Sequence, residues 1–121
     1  MSKTVLTVDD SRTMRDMLRL ALADAGFRVV QAEDGVHGLE ILKGETPNVI
    51  VTDINMPRMD GFGFIENVRS DARHRAIPIL VLTTESDAAK KDRARRAGAT
   101  GWIVKPFDPV RLVDAVRRVA A

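Results

Sequence analysis

Asn48-Val49-Ile50-Val51-Thr52-Asp53 is an apolar run that ends on a carboxylate, and the irregular stretch Ile54-Asn55-Met56-Pro57-Arg58-Met59-Asp60-Gly61 follows it. A carboxylate at the tip of a buried strand must face a crevice or pair with a cation, because burying it alone costs too much. Two other runs share this form. Thr4-Val5-Leu6-Thr7-Val8 ends on Asp9 and Asp10, and Trp102-Ile103-Val104 ends on Lys105. If these strands run parallel, three acids and one lysine gather at a single rim of a single sheet.

The rest of the chain supports that arrangement. Strand-like and helix-like patterns alternate five times, with no repeat, linker or low-complexity segment between them. The first strand, Thr4 to Val8, is apolar enough to be covered on both faces, as in a parallel sheet. Met14, Met17, Leu18, Ala21, Leu22 and Ala25 then recur at helical spacing, and Gly26 stops the helix. Phe27 to Gln31 reads as the second strand. Asp34 caps a helix carrying Val36, Leu39 and Leu42, which Gly44 and Pro47 end.

Val49 to Thr52 forms the third strand, and Phe62, Ile65 and Val68 mark the helix after it. Ile77 to Thr83 reads as the fourth strand, its proline near the entry where a missing N–H is tolerated. A helix from Ser86 or Asp87 to Gly98 has a weak, mostly alanine stripe and should be the least firmly packed. Gly101 to Val104 is the fifth strand. Asp108 caps the last helix with Pro109 at its first position; Val110, Val113 and Val116 are its expected buried face, flanked by Leu112 and Val119.

Five such units imply an α/β, (βα)5 domain: a five-stranded parallel sheet with helices on both faces. The flavodoxin-like strand order 2-1-3-4-5 is expected at this size. Its ligand site lies beyond the carboxyl ends of strands one and three, where Asp9, Asp10 and Asp53 fall. Thr83 and Lys105 end the two strands beyond.

Composition narrows the chemistry. At 121 residues the chain forms one domain, expected to span 1–121. With no cysteine there is no disulfide framework and no thiolate metal site, which fits a reducing, cytoplasmic setting. No apolar run approaches the length needed to span a bilayer, and the opening Met1-Ser2-Lys3-Thr4 runs straight into a strand rather than a signal peptide. A net charge of +2 does not argue for nucleic acid. The basic run Lys90-Lys91-Asp92-Arg93-Ala94-Arg95-Arg96 reads as a solvated helix face. His37 and His74, in polar surroundings, read as surface residues.

Three clustered carboxylates repel one another, which raises the pKa of at least one and is relieved by a hard divalent cation. Oxygen ligands without histidine or cysteine point to Mg²⁺, held by Asp9, Asp10 and Asp53 with a loop carbonyl such as that of Asn55. Such a site suits phosphoryl transfer: Asp53 as the nucleophile, Lys105 neutralising the phosphoryl oxygens and the Thr83 hydroxyl bonding to them. Each residue taken singly has an ordinary reading. Asp9-Asp10 could cap a helix, Asp53 could serve a turn, Lys105 could be an exposed lysine, and Thr83 could be a strand-end hydroxyl. Their joint placement on one rim is far more specific.

The pieces Val8-Asp9-Asp10-Ser11, Asp53 to Gly61, Leu82-Thr83-Thr84 and Lys105-Pro106-Phe107 together resemble the receiver domain of two-component response regulators, across essentially the whole chain. That resemblance implies phosphorylation of Asp53 by a sensor histidine kinase, Mg²⁺ as the only cofactor and a cis Lys105–Pro106 bond. It implies a switch formed by Thr83 and Trp102, an indole where tyrosine or phenylalanine is more usual. The switch reshapes the face made by the fourth helix, fifth strand and fifth helix.

Ser11 to Arg15, Gly101 to Phe107 and the pair Asn55 and Glu85 look like the chemotaxis CheY-like subgroup. In that subgroup Asn55 and Glu85 tune dephosphorylation, and the implied protein is a monomeric phosphoprotein messenger from a chemotaxis kinase to the flagellar motor switch, with a possible phosphatase. No output domain, nucleic acid or membrane is expected, so the implied output is a protein contact. It is a signalling protein rather than an enzyme, catalysing only its own phosphorylation and dephosphorylation.

Two receiver alternatives share the site chemistry, a phosphate sink and a phosphorelay intermediate. A phosphatase of the haloacid dehalogenase type usually wants an aspartate where Asn55 stands. A flavin mononucleotide binder would meet repulsion from Asp9-Asp10.

Overall fold

The structure, a computed structural model, describes residues 2–120; Met1 and Ala121 of the expected 1–121 domain lie outside the described residues. Ten elements alternate: β1 Thr4–Val8, α1 Arg12–Asp24, β2 Arg28–Ala32, α2 Gly35–Leu42, β3 Val49–Thr52, α3 Gly61–Ser70, β4 Ile79–Thr83, α4 Ala88–Ala97, β5 Gly101–Val104 and α5 Pro109–Val119. The strands form one parallel sheet in the order β2-β1-β3-β4-β5.

Side-chain alternation along the strands divides the core in two. Leu6, Val8, Ile50, Ile79 and Val81 point toward α2, α3 and α4, where they meet Leu42, Phe62, Phe64, Ile65, Val68 and Ala94. Val5, Val49, Val51, Leu80 and Leu82 point the other way, against Leu18 and Leu22 of α1 and Leu112 and Val116 of α5. The three central strands are buried at nearly every position, which is why they read as unbroken apolar runs.

Element boundaries differ from expectation where a backbone N–H is already committed. β2 begins at Arg28 because the Phe27 N–H donates back to Leu22 O at 3.0 Å, closing α1 with Gly26 at φ 95. That is a Schellman closure, and it takes Phe27 out of the ladder. β4 begins at Ile79 because Pro78 has no N–H to give. The Ile79 N–H is taken by the Thr100 hydroxyl at 3.0 Å. Asp34, Asp87 and Asp108 cap their helices as expected, and Asp60 caps α3. Ser11 caps α1, so Asp9 and Asp10 are free of that duty.

The expected buried faces hold in α3 and shift elsewhere. In α5 Val116 is buried as expected and Leu112 joins it, while Val110, in the first turn, is 68% exposed. Met17 of α1 is 49% exposed, on the flank of the Leu18–Leu22 stripe. Within α4 only Ala94 is buried, matching its weak stripe. His74 is a correction: it is 4% exposed, with Nδ1 3.2 Å from Asp71 Oδ2, because the turn after α3 folds it inward. No helix among the described residues is long and apolar enough to cross a membrane.

One polar group is out of place. Thr7 lies in the middle of β1, fully buried, and its hydroxyl has no hydrogen-bond partner. An unsatisfied buried hydroxyl costs roughly 1–3 kcal/mol, and valine has nearly the same shape. Thr7→Val should therefore raise stability by about 1 kcal/mol, read as a higher urea midpoint with an unchanged slope; a lower midpoint would mean the hydroxyl is satisfied in solution.

Candidate functional site

The parallel sheet sends every strand's carboxyl end to one rim, and the 2-1-3-4-5 order leaves a crevice between the loops after β1 and β3. Asp9 and Asp10 follow β1 there and Asp53 follows β3. Their carboxylates offer oxygens that all lie within 4.8 Å of one another. Backbone hydrogen bonds hold the loop starts in register: Asp9 N–H donates to Ala32 O at 3.1 Å and Asp53 N–H to Val8 O at 2.9 Å.

Lys105 closes the crevice. Its backbone N–H continues the β5 ladder by donating to Thr83 O at 2.8 Å, and its peptide bond to Pro106 is cis. Its Nζ reaches Asp9 Oδ2 at 2.8 Å and Asp53 Oδ2 at 2.9 Å. All three groups are largely buried, so this is a desolvated cation between two carboxylates.

Electrostatics follow from that burial. Burial pushes the Asp9 carboxyl above its ordinary value, against the hydrogen bonds from Lys105 and the Ser11 N–H; repulsion from Asp53 adds least. The expected pKa rise is therefore present, with desolvation rather than mutual repulsion as its main cause. For Lys105, burial pulls downward, and the hydrogen bonds to Asp9 and Asp53 outweigh it, leaving the amine above its usual value.

The carboxylates fit a hard cation. Asp9 and Asp53 present buried oxygens, while exposed Asp10 forms no ion pair among the described residues and adds a third. Asp53 also accepts from the Ile54 N–H at 2.6 Å, which fixes the rotation of its carboxylate. Behind it, a Cβ at Gly61 would run into the Asp53 carbonyl, so only glycine lets α3 start that close.

Thr83 is fully buried, and its hydroxyl accepts from the Glu85 N–H at 3.4 Å. Trp102 is half-buried, and its indole N–H donates to the Glu85 carbonyl at 3.1 Å. The Glu85 carboxylate in turn receives the Asn55 amide at 3.3 Å and pairs with Lys90 at 3.1 Å. Hydrogen bonds from Lys90 first, and from Asn55 next, hold that carboxyl below its usual range. The sequence resemblance gave Glu85 a part in tuning dephosphorylation but none of its contacts. In the fold it joins Asn55, Thr83 and Trp102 through three different groups.

Residues with no sequence signal also shape the crevice. Arg58 sits in the left-handed region at φ 64, a conformation costing on the order of 1 kcal/mol for a residue with a Cβ. A two-pronged ion pair holds it, Nε to Asp34 Oδ2 at 2.8 Å and Nη2 to Asp34 Oδ1 at 3.0 Å. That guanidinium keeps the Asp34 carboxyl below its usual range and ties the loop after Asp53 to the start of α2. Arg15 reaches across from α1 to the Asp9 carbonyl at 2.7 Å. His37 and His74 are remote from this constellation, occupied with the Glu33 N–H and with Asp71 respectively.

Comparison with known proteins agrees with this geometry. The family model described as the response regulator receiver domain matches residues 5–117. Chemotaxis protein CheY1 of Helicobacter pylori is 43% identical over 117 residues, which cover 95% of this chain and 94% of that protein. The probable transcriptional regulator ycf27 of Porphyridium aerugineum is 36% identical over 95% of this chain, which spans only 47% of that longer protein. Among solved structures, chemotaxis protein CheY4 of Vibrio cholerae matches with a TM-score of 0.94 at 43% identity, over 98% of this chain and 99% of that one. A carboxylate crevice built on this strand order, matched in sequence and in fold along nearly its whole length, places the chain in the response regulator receiver domain family, within its chemotaxis CheY-like subgroup.

Proposed function

We propose that the chain is a phosphorylation-driven messenger in which Asp53 accepts a phosphoryl group from a sensor histidine kinase. The observation that carries this reading is the Lys105 ammonium held between Asp9 and Asp53 at the open rim of the sheet. The Asp53 carboxylate attacks phosphorus, the bond from phosphorus to the donor imidazole breaks, and an acyl phosphate forms. Lys105 then faces the phosphoryl oxygens. Asp9, Asp10 and Asp53, with the Asn55 backbone carbonyl, would hold Mg²⁺, which when bound neutralises charge on the transferring group.

The signal leaves through Glu85. A Thr83 hydroxyl that turns to a phosphoryl oxygen gives up the Glu85 N–H. The loop carrying the Glu85 carbonyl is then free to release or redirect Trp102, reshaping the α4–β5–α5 face. Asn55 and Glu85 border the phosphoryl group and tune the approach of water. The domain works as a monomer, in the cytoplasm, and its target is the flagellar motor switch, with a phosphatase as a further partner. The alternative, a stand-alone receiver serving as phosphate sink or relay intermediate, needs no change at Trp102. A motor messenger does, since reversing a 1:99 equilibrium takes roughly 5.5 kcal/mol of differential stabilisation.

Incubation with Mg²⁺ and acetyl phosphate should add one phosphoryl group to the intact mass, absent in Asp53→Asn and with EDTA, and should shift Trp102 emission. An adduct with unchanged emission would favour the sink. No adduct, and no response to a fluoride–beryllium mimic, would remove Asp53 from this role.

Metal affinity, stability and adduct decay should each respond to changes at these residues. Because burial raises the folded-state pKa of Asp9, a proton competes for that carboxylate at higher pH than for an ordinary aspartate. Apparent Mg²⁺ affinity should fall as pH is lowered toward that raised value, and Asp9→Asn should bind metal weakly at every pH. The Lys105 amine has the opposite linkage: its raised pKa stabilises the fold at neutral pH, a contribution lost as pH rises through the raised value. Substituting Asn55 or Glu85 by alanine should change the decay rate of the adduct while leaving its formation intact, read by mass over time; unchanged decay would exclude them from tuning.

A further inference from the structure

The basic fourth helix has two sides. Ala88, Lys91 and Arg95 border a groove against Trp102 and β5, which belongs to the switch face already described. Arg93, Arg96 and Ala97, spaced three and four apart, face the other way and line a shallow groove of about 510 Å³ with Glu66 and Arg69 of α3. This second groove carries three guanidinium groups and one carboxylate.

Two of its three cations, Arg69 and Arg93, are held in place yet form no ion pair among the described residues. Arg69 donates Nε to Gly98 O at 3.0 Å and Nη1 to Arg75 O at 3.0 Å and Ile77 O at 2.7 Å. Three carbonyls pin this guanidinium, while no carboxylate among the described residues neutralises it and its Nη2 finds no acceptor there. Burial pushes its pKa down, as expected for a desolvated cation lacking an anion. Arg93 lies over the Phe62 ring, 4.1 Å from its centroid, and makes no ion pair among the described residues. Arg96 has only a long contact, 3.6 Å, to Asp92, a carboxylate it shares with Arg95.

We infer that the α3–α4 groove is a second docking surface, fitted to an acidic segment of a protein partner. Guanidinium groups fixed by carbonyls and by a ring lose little freedom on meeting carboxylates, which favours paired, directional contacts. A continuous phosphate backbone fits poorly, because Glu66 inside the groove would oppose it. Carboxylates spaced along a peptide can pass on either side. The groove is distinct from the Trp102 face, so the two sides of α4 can carry different partners. This inference does not depend on Asp53 chemistry.

Titrating the whole ¹⁵N-labelled chain with a short peptide of alternating Glu and Ala tests it. Amide shifts should centre on Glu66, Arg69, Arg93, Arg96 and Ala97. Arg93→Ala and the fully surface change Arg96→Ala should each weaken binding on the order of tenfold. Arg95→Ala removes the same charge from the opposite side and should leave affinity within about threefold. Adduct formation at Asp53 in these variants, matching the parent, separates loss of docking from loss of receiver chemistry. Shifts centred on Trp102, equal losses for Arg95→Ala, no groove shifts at large peptide excess, or tighter binding of an oligonucleotide of equal charge would each overturn the assignment.

Discussion

A lysine ammonium buried between two carboxylates is the contact on which this molecule's chemistry depends. Asp9 sits after β1, Asp53 after β3 and Lys105 after β5, so the contact exists only if three parallel strands end at the same height. Removing one member of such a buried set typically costs about 3–5 kcal/mol, since the remaining charge is stranded away from water. Burial raises Asp9 and would lower Lys105, and their mutual hydrogen bonds reverse the second effect. The result is a lysine that stays charged despite its burial, with exposed Asp10 at the edge of the site.

From that site outward, the connections are polar rather than packed. Glu85 links Asn55, Thr83 and Trp102 through its carboxylate, its N–H and its carbonyl. α4, which follows it, buries only Ala94 and is attached by the Glu85–Lys90 ion pair and the stack of Arg93 on Phe62. A helix held this way has few apolar contacts to lose and belongs to the low-stability part of the fold, where movement is cheap. α3, by contrast, buries Phe62, Phe64, Ile65 and Val68 and provides a fixed wall. A soft helix beside a rigid one allows a change at Glu85 to be felt on the surface without disturbing the core.

Much of the architecture was legible in the residues. Unbroken apolar runs in β1, β3 and β4 required cover on both faces, which requires a parallel sheet; strand-end charges then fell on one rim. Asp34, Asp108 and Gly26 marked their helix boundaries because capping and left-handed closure are local, needing only a few neighbouring residues. Where local rules competed, reading along the chain failed. Phe27 looked like strand by composition, yet its N–H was needed to close α1. Val110 looked like core by its spacing in α5, yet in the first turn of that helix it is exposed while Leu112 is buried. His74 looked exposed in a run of arginines, yet the turn folds it inward.

The strand-end acids, the lysine, the hydroxyl and the helix signals are properties of residue type and spacing, so the chain itself carried the fold class and the membership of the crevice. Which partner each charge takes is a property of through-space distance, and no spacing rule reaches it. Nothing along the chain links Arg58 to Asp34 or seats Arg69 among three carbonyls. Nor does anything along it turn one side of α4 toward Trp102 and the other toward Arg69. Those pairings arise only when separate elements are brought together on a common sheet, because hydrogen bonds and ion pairs act over a few ångströms, while Asp34 lies 24 residues from Arg58 and Gly98 lies 29 from Arg69.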